Sequence, residues 1–358
     1  MTKRQSTSST SGGCWLWFFL GIVGVVWVVG RALIQQTQTS SLLPPRAAGC
    51  PHWGRWSPYL SDLMYTPDGA TLLILGEGLA AYDAVNERPL WCVDSDDPEY
   101  LMGWWALSPD GETLAVVNGP RTSLTTWRVA DGVRLQQWSL SLTTFSALTF
   151  APDGRSLVIS AGRELWRWPL HTLDNPHILS NEGYFTGLAL APDGRTLAVL
   201  NSLGLEVWDT ATWTVTQRYA DEAFSSQKEL AFSPDGDVLA AWGYRDALVF
   251  RPASGTMQMW WNPAEANFKY VNTMVFSPDG RYVAALAHGY NSGRPGKAAW
   301  PASWDILGVW QTQDWRQVAE ESYSGVHNTL TFTPDGASLL LDAGRGVQAY
   351  PLTELLTD

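Results

Sequence analysis

Chemistry in this 358-residue chain would have to come from a few scattered residue types. Its histidines, His52, His171, His177, His288 and His327, show no metal-ligand spacing. Acids crowd into the run Asp94-Ser95-Asp96-Asp97-Pro98-Glu99. A hard cation such as calcium needs several oxygens around a tight turn; here Pro98 breaks the run and no glycine relieves it. No Gly-x-Ser-x-Gly elbow and no glycine-rich phosphate loop occurs, so the sequence-local forms of hydrolase and nucleotide site are missing. Cys14, Cys50 and Cys92 include no Cys-x-x-Cys pair, which argues against structural zinc. Cys50 and Cys92 pair if the domain faces an oxidising compartment, and are two buried thiols if it does not. No cofactor and no metal are expected. An active site assembled from scattered residues of a channel stays open as an alternative, because such a site leaves no local motif.

Bulk properties narrow the partners. The net charge of -12 repels phosphate backbones, so no nucleic acid is expected as a ligand. A basic ligand or partner fits better, and the plain alternative is that acidity only keeps the protein soluble. Hydrophobic residues make up 45% and charged residues 16% of the chain, enough for a packed core. Tryptophan is abundant, at 21 residues, and aromatic side chains suit pleated, half-buried surfaces.

The first 13 residues are polar. Residues 14–34 open with the run Cys-Trp-Leu-Trp-Phe-Phe-Leu, and no charge occurs from Gly12 to Gly30. A helix of that length covers roughly 28 Å, close to a bilayer core. Trp15, Trp17 and Trp27 lie near its ends, where amphipathic rings prefer to sit. We read 14–34 as a transmembrane signal anchor. The competing reading is a cleaved signal peptide ending at Gly30, but the run is longer than a usual signal core and carries bulky tryptophan near the cleavage zone. Lys3 and Arg4 together before the run, against the more spread-out Arg31 and Arg46 after it, favour an inside N-terminus and an extracytoplasmic remainder. Residues 35–49 then form a tether, extended at Pro44-Pro45.

The rest of the chain, 50–358, is repetitive. Pro-Asp-Gly occurs seven times, with glycines at Gly69, Gly111, Gly154, Gly194, Gly236, Gly280 and Gly336. Each is preceded by Ser, Thr or Ala and, before that, by an apolar residue. Proline presets φ, aspartate bonds nearby backbone and glycine supplies positive φ, so each motif joins two antiparallel strands. An aromatic residue follows each glycine: Tyr82, Trp127, Trp168, Trp208, Phe250, Trp310 and Tyr350. It marks a third strand, and a more polar fourth strand follows. Four strands in a period of about 40 residues are the signature of a propeller blade. The expected fold is therefore all-β: a seven-bladed β-propeller of four-stranded blades behind one transmembrane helix, monomeric as a propeller.

These residues resemble the WD-repeat family over about residues 50–355. Val207-Trp208-Asp209-Thr210 matches the family's repeat ending and Tyr82-Asp83 matches it loosely; the other repeats lack the Asp, and the family's Gly-His pair is missing. The family's His/Asp network is therefore not expected, and packing must hold the blades. Residues 50–58 are expected to supply the outer strand of the last blade, which would remove an exposed sheet edge.

The resemblance implies that the Pro-Asp-Gly turns share one face and that the loops between blades share the other. The seven motif aspartates are then turn formers. The loop face would carry Asp94, Asp96, Asp97, Glu99, Glu182, Asp221, Glu222, Glu265, Glu320 and Glu321 against Lys228 and Lys269. Interleaved aromatics include Tyr100, Trp104, Tyr184, Phe224 and Tyr270. Aromatic anchors inside a charged rim suit a protein-binding surface, although the same aromatics could simply cap the blade cores. The sixth repeat carries one long insertion, His288 to Ser303, with Tyr290, Arg294, Lys297 and Trp300. The expected function is a membrane-tethered scaffold for protein partners, with Asp96, Asp97, Tyr100, Trp104, Tyr184, Phe224, Tyr270, Tyr290, Arg294, Lys297 and Trp300 as the candidate contact residues. The alternatives are a propeller enzyme of hydrolase or lactonase type, or a small-ligand sensor, with its site in the central channel.

Overall fold

A computed structural model describes residues 60–356, apart from 61, 77, 87, 94–102, 119, 122, 141–143, 172–175, 245, 262–267, 291–302, 325–328 and 343–346. The described residues all belong to one compact unit. The expected signal anchor, the tether and the closing strand at 50–58 lie outside them. Among the described residues no helix is long and apolar enough to cross a membrane.

Seven antiparallel sheets follow one another along the chain. Blade 1 is β1 (Asp62–Tyr65), β2 (Thr71–Leu75), β3 (Leu79–Asp83) and β4 (Arg88–Val93). Blade 2 is β5 (Trp104–Leu107), β6 (Thr113–Val117), β7 (Ser123–Arg128) and β8 (Arg134–Ser139). Blade 3 is β9 (Ala147–Phe150), β10 (Ser156–Ala161), β11 (Glu164–Pro169) and β12 (His177–Ser180). Blade 4 is β13 (Phe185–Leu190), β14 (Thr196–Asn201), β15 (Gly204–Asp209) and β16 (Thr214–Tyr219). Blade 5 is β17 (Gln227–Phe232), β18 (Leu239–Gly243), β19 (Ala247–Arg251) and β20 (Thr256–Trp261). Blade 6 is β21 (Phe268–Phe276), β22 (Tyr282–Tyr290), β23 (Ser303–Gln311) and β24 (Gln317–Ser324). Blade 7 has three strands among the described residues, β25 (Leu330–Phe332), β26 (Ser338–Asp342) and β27 (Val347–Pro351), and ends in a short helix, α1 (Leu352–Leu355).

The repeat residues set this register. Every Pro-Asp-Gly turn links the first two strands of its blade, and its glycine takes φ between 62° and 77°, where a Cβ would be strained. Three residues beyond each glycine an aliphatic side chain pairs with the aromatic of the third strand. The pairs are Leu72 with Tyr82, Leu114 with Trp127, Leu157 with Trp168, Leu197 with Trp208, Leu239 with Phe250, Val283 with Trp310 and Leu339 with Tyr350. Cross-strand aromatic–aliphatic pairs are the units that stabilise a sheet.

The blades close into a ring. The first strands neighbour one another from β5 through β9, β13, β17, β21 and β25 to β1. Trp105 of blade 2 then donates its indole N–H to Asp62 of blade 1 at 2.7 Å, joining the remaining pair. The turn face repeats the closure. A Cβ on Gly69 of blade 1 would lie 2.6 Å from Pro334 of blade 7, just as one on Gly111 of blade 2 would lie 2.8 Å from Pro67 of blade 1.

Aromatic side chains fill the interfaces between blades, which accounts for much of the tryptophan. Trp91 of blade 1 lies on Gly132 of blade 2 and donates to Val129 O at 2.6 Å. Tyr219 of blade 4 reaches Gly255 and stacks edge-on against Phe250 of blade 5. In the turns after β15 and β23 the left-handed position is held by Trp213 and Trp315 instead of glycine. Their indoles turn back onto the cores shared with blades 3 and 5, and Arg167 of blade 3 lies 4.7 Å over the Trp213 ring.

Blade 6 corrects one expectation. The segment beginning at His288 is not wholly a loop: β22 and β23 are nine residues each, so His288 to Tyr290 and Ser303 lie in a lengthened hairpin. A buried His–Asp bond lies within the same hairpin. His288 Nδ1 lies 2.6 Å from Asp305 Oδ1, on directly paired positions of that hairpin. The Tyr270 ring lies 5.3 Å from the imidazole.

Candidate functional site on the loop face and channel mouth

Each first strand runs from the loop face to its Pro-Asp-Gly turn, so a fixed offset from the motif proline gives a fixed height in the channel. Five residues before it stand Asp62, Trp104, Ala147, Gly187, Glu229, Thr273 and Thr329. This ring near the loop-face mouth therefore holds two carboxylates. Asp62 accepts from Trp105 Nε1, from Thr329 Oγ1 at 3.0 Å and from the Leu63 amide at 2.8 Å. One carboxylate thus ties blades 7, 1 and 2 together. Enclosure by protein pushes its pKa up, and the three donors offset only part of that cost.

Glu229 has a different setting. Its side chain is open to water, yet protein surrounds it closely enough to push its pKa up to about 7. Desolvation is the main cause; the charge of Asp62 adds to it and Lys228 partly offsets it. Blades 1 and 5 are not neighbours, so Asp62 acts on Glu229 across the channel. A side chain that projects into a narrow channel is both accessible and closely walled by protein.

Around this mouth, blades 4 and 5 expose large apolar side chains. Tyr184, Leu203 and Tyr244 are 57%, 61% and 54% exposed. Tyr184 and Ser202 exchange bonds, Tyr184 N to Ser202 Oγ at 3.0 Å and Ser202 N to Tyr184 O at 2.8 Å, which holds Tyr184 beside the Leu203 turn. Cations lie over both tyrosines: Arg163 is 5.3 Å from the Tyr184 ring, and Lys228 Nζ is 4.0 Å from the Tyr244 ring and donates to its hydroxyl. Such contacts fix an aromatic face without burying it. Next to them a cavity of about 220 Å³ is lined by Leu203, Leu205 and Tyr219. Arg218 borders it, bound to Glu182 and to buried Glu206 at 3.1 Å each.

Of the expected contact residues, Asp96, Asp97, Tyr100, Arg294, Lys297 and Trp300 lie outside the described residues. Tyr184 is on the exposed rim. Trp104 is partly buried in the channel ring, packed 5.0 Å from Phe145 with Arg121 4.8 Å above it. Tyr270 is half-buried against His288, and Tyr290 ends β22. Phe224 is a core residue: Asp221 caps the 3₁₀ turn Glu222–Phe224, which directs the ring inward onto Phe250. Among the expected loop acids, Glu320 and Glu321 lie within β24. Arg163, Arg218, Asp62 and Glu229 were not singled out in the sequence. The offset from the motif proline was the signal that could have found the two carboxylates.

Among the described residues no group of three or more His, Cys, Asp or Glu could hold a metal ion. Cys92, on β4, is disulfide-bonded, and its partner lies outside the described residues, where Cys14 and Cys50 are the chain's other cysteines.

No protein-family model matches the chain. No curated protein matches it either. Among solved structures it is similar to the β-propeller domain of Cps50 (Swd1) from Myceliophteria thermophila. The TM-score is 0.65 at 12% identity, over 82% of this chain and 97% of that one. The likeness is one of fold.

Proposed function

We propose that this protein is a membrane-tethered interaction scaffold that binds protein partners through the loop face of its propeller. The observation that carries the reading is the exposed rim of Tyr184, Leu203 and Tyr244 beside the channel, with cations seated on both tyrosines. Rigid aromatic anchors of this kind supply most of the energy of a protein interface. The uncharged run Gly12 to Gly30 supports the tether. The Cys92 disulfide supports an oxidising, extracytoplasmic side.

The test is a crosslinking pull-down from native membranes with three full-length baits: wild type, Tyr184→Ala/Tyr244→Ala, and a form lacking residues 288–303. A partner captured by wild type and lost with the tyrosine pair supports the reading. Loss only with the deletion moves the interface to the blade 6 hairpin, and capture by all three removes both surfaces from consideration.

One observation favours a second reading, a channel enzyme or small-ligand sensor: Glu229, with a pKa near neutrality, faces Asp62 across the channel. A group poised near pH 7 suits proton transfer. Turnover or ligand binding lost in Glu229→Gln with the tyrosine rim intact would select it.

A further inference from the structure

The opposite face carries a recess that the loop-face reading does not use. It spans blades 6, 7 and 1 where their Pro-Asp-Gly turns converge, with a volume of about 420 Å³. That is the size of a small-molecule site. Met64, Tyr65, Phe276 and Phe332 form its walls, and the prolines of the three turns form its lip. Two residues before the motif proline, blades 2 and 4 place Leu107 and Leu190, whereas blades 1, 3, 5, 6 and 7 place the aromatics Tyr65, Phe150, Phe232, Phe276 and Phe332; three of these, from consecutive blades, line the recess.

The lip is charged. Asp68 lines it, and Asp335 follows directly on the lining Pro334. Each uses Oδ1 alone for its turn: Asp68 accepts from Thr66 Oγ1 at 2.6 Å and Ala70 N at 3.0 Å, Asp335 from Thr333 Oγ1 at 2.6 Å and Ala337 N at 2.9 Å. Among the described residues neither Oδ2 has a partner. Those same bonds hold both carboxyls below the usual carboxylate range, led by the threonine hydroxyls, so both stay ionised near neutrality. Asp279, the third aspartate of the sector, is taken by Arg281.

We propose that this recess is a docking site for a basic linear peptide segment, which seats one apolar side chain between Met64, Tyr65, Phe276 and Phe332 and sets flanking lysine or arginine side chains on Asp68 and Asp335. The occupant follows from complementarity: a recess with Met64 and three aromatic rings in its wall lies under two ionised carboxylates whose outer oxygens are open. Methionine in the wall adapts to side chains of different shape. The site lies on the other face from Tyr184 and Tyr244 and does not depend on the reading given to them.

The test uses the full chain in non-ionic detergent and the peptides Ac-Lys-Lys-Leu-Lys-Lys-NH2, its serine analogue at the central position, and Ac-Glu-Glu-Leu-Glu-Glu-NH2, titrated calorimetrically. The leucine peptide is expected to bind at least tenfold more tightly than the serine analogue, with the acidic peptide silent. Asp68→Asn/Asp335→Asn is expected to weaken it at least tenfold, and Thr331→Trp, which fills the recess, to abolish it. Equal affinity for the leucine and serine peptides, binding retained by the asparagine pair, or no binding to wild type would overturn the proposal. If Thr331→Trp fails to fold, the peptide comparison and the asparagine pair decide alone. Self-association that blocks the recess, seen by sedimentation, would also overturn it.

Discussion

Asp62→Ala should loosen the ring at its seam. The substitution strands two donors, the Trp105 indole N–H and the Thr329 hydroxyl, on side chains that are 8% and 1% exposed. An unsatisfied buried donor costs about 1–3 kcal/mol. Against this, removing an enclosed carboxylate recovers part of its desolvation cost, since burial raises its pKa. The net loss is expected at about 2–4 kcal/mol. Asp62→Asn, whose amide oxygen still accepts one bond, should lose about 1 kcal/mol. Urea unfolding followed by tryptophan fluorescence measures both, with Thr329→Val and the double variant completing a cycle. If the seam argument holds, Asp62→Ala and Thr329→Val are coupled by more than about 0.5 kcal/mol. Additive effects, or a loss below about 0.5 kcal/mol in Asp62→Ala, would refute it.

Other outcomes follow from the same geometry. Glu229 holds its proton to higher pH when folded, so its contribution is present below about pH 4.5 and fades as pH rises through about 7. Its exposure to solvent screens it, so the pH-dependent part is expected to be only about 1 kcal/mol, and Glu229→Gln should flatten that slope in melting curves taken between pH 4 and 8. Trp213→Gly removes about 1–2 kcal/mol of left-handed strain but loses an indole worth about 2–3 kcal/mol of burial. A small net destabilisation of about 1 kcal/mol is expected by the same unfolding assay, and a gain in stability would contradict the packing account. His288→Ala deprives fully buried Asp305 of its imidazole and should cost about 3 kcal/mol, whereas Asp305→Asn keeps a hydrogen bond and should cost about 1 kcal/mol; thermal melts of both variants check this.

The blades were legible because their signals are local. A Pro-Asp-Gly turn needs only its own backbone angles, and the aromatic of the third strand meets a partner fixed by counting from that turn. The channel pair was not legible by composition, since Asp62 and Glu229 are far apart in sequence and meet only through ring closure. The loop face looked more acidic in sequence than its described part is, because Arg163 and Arg218 arrive from a turn and an outer strand. Phe224 looked like an exposed anchor until the turn capped by Asp221 directed it inward. The His288–Asp305 bond escaped notice because strands β22 and β23 run further than their counterparts, into what reads as an insertion.

The contact of Gly69 with Pro334 has a consequence for how such a protein can change size. In an open solenoid, stability accrues repeat by repeat, and the terminal units need polar caps. Here the last turn rests against the first, so no repeat is terminal. Deleting a blade would not shorten an array; it would force every remaining interface to a new angle, through side chains such as Trp91 on Gly132 that fit only one. Change in this chain is therefore channelled into its loops and hairpins, where blade 6 has already grown.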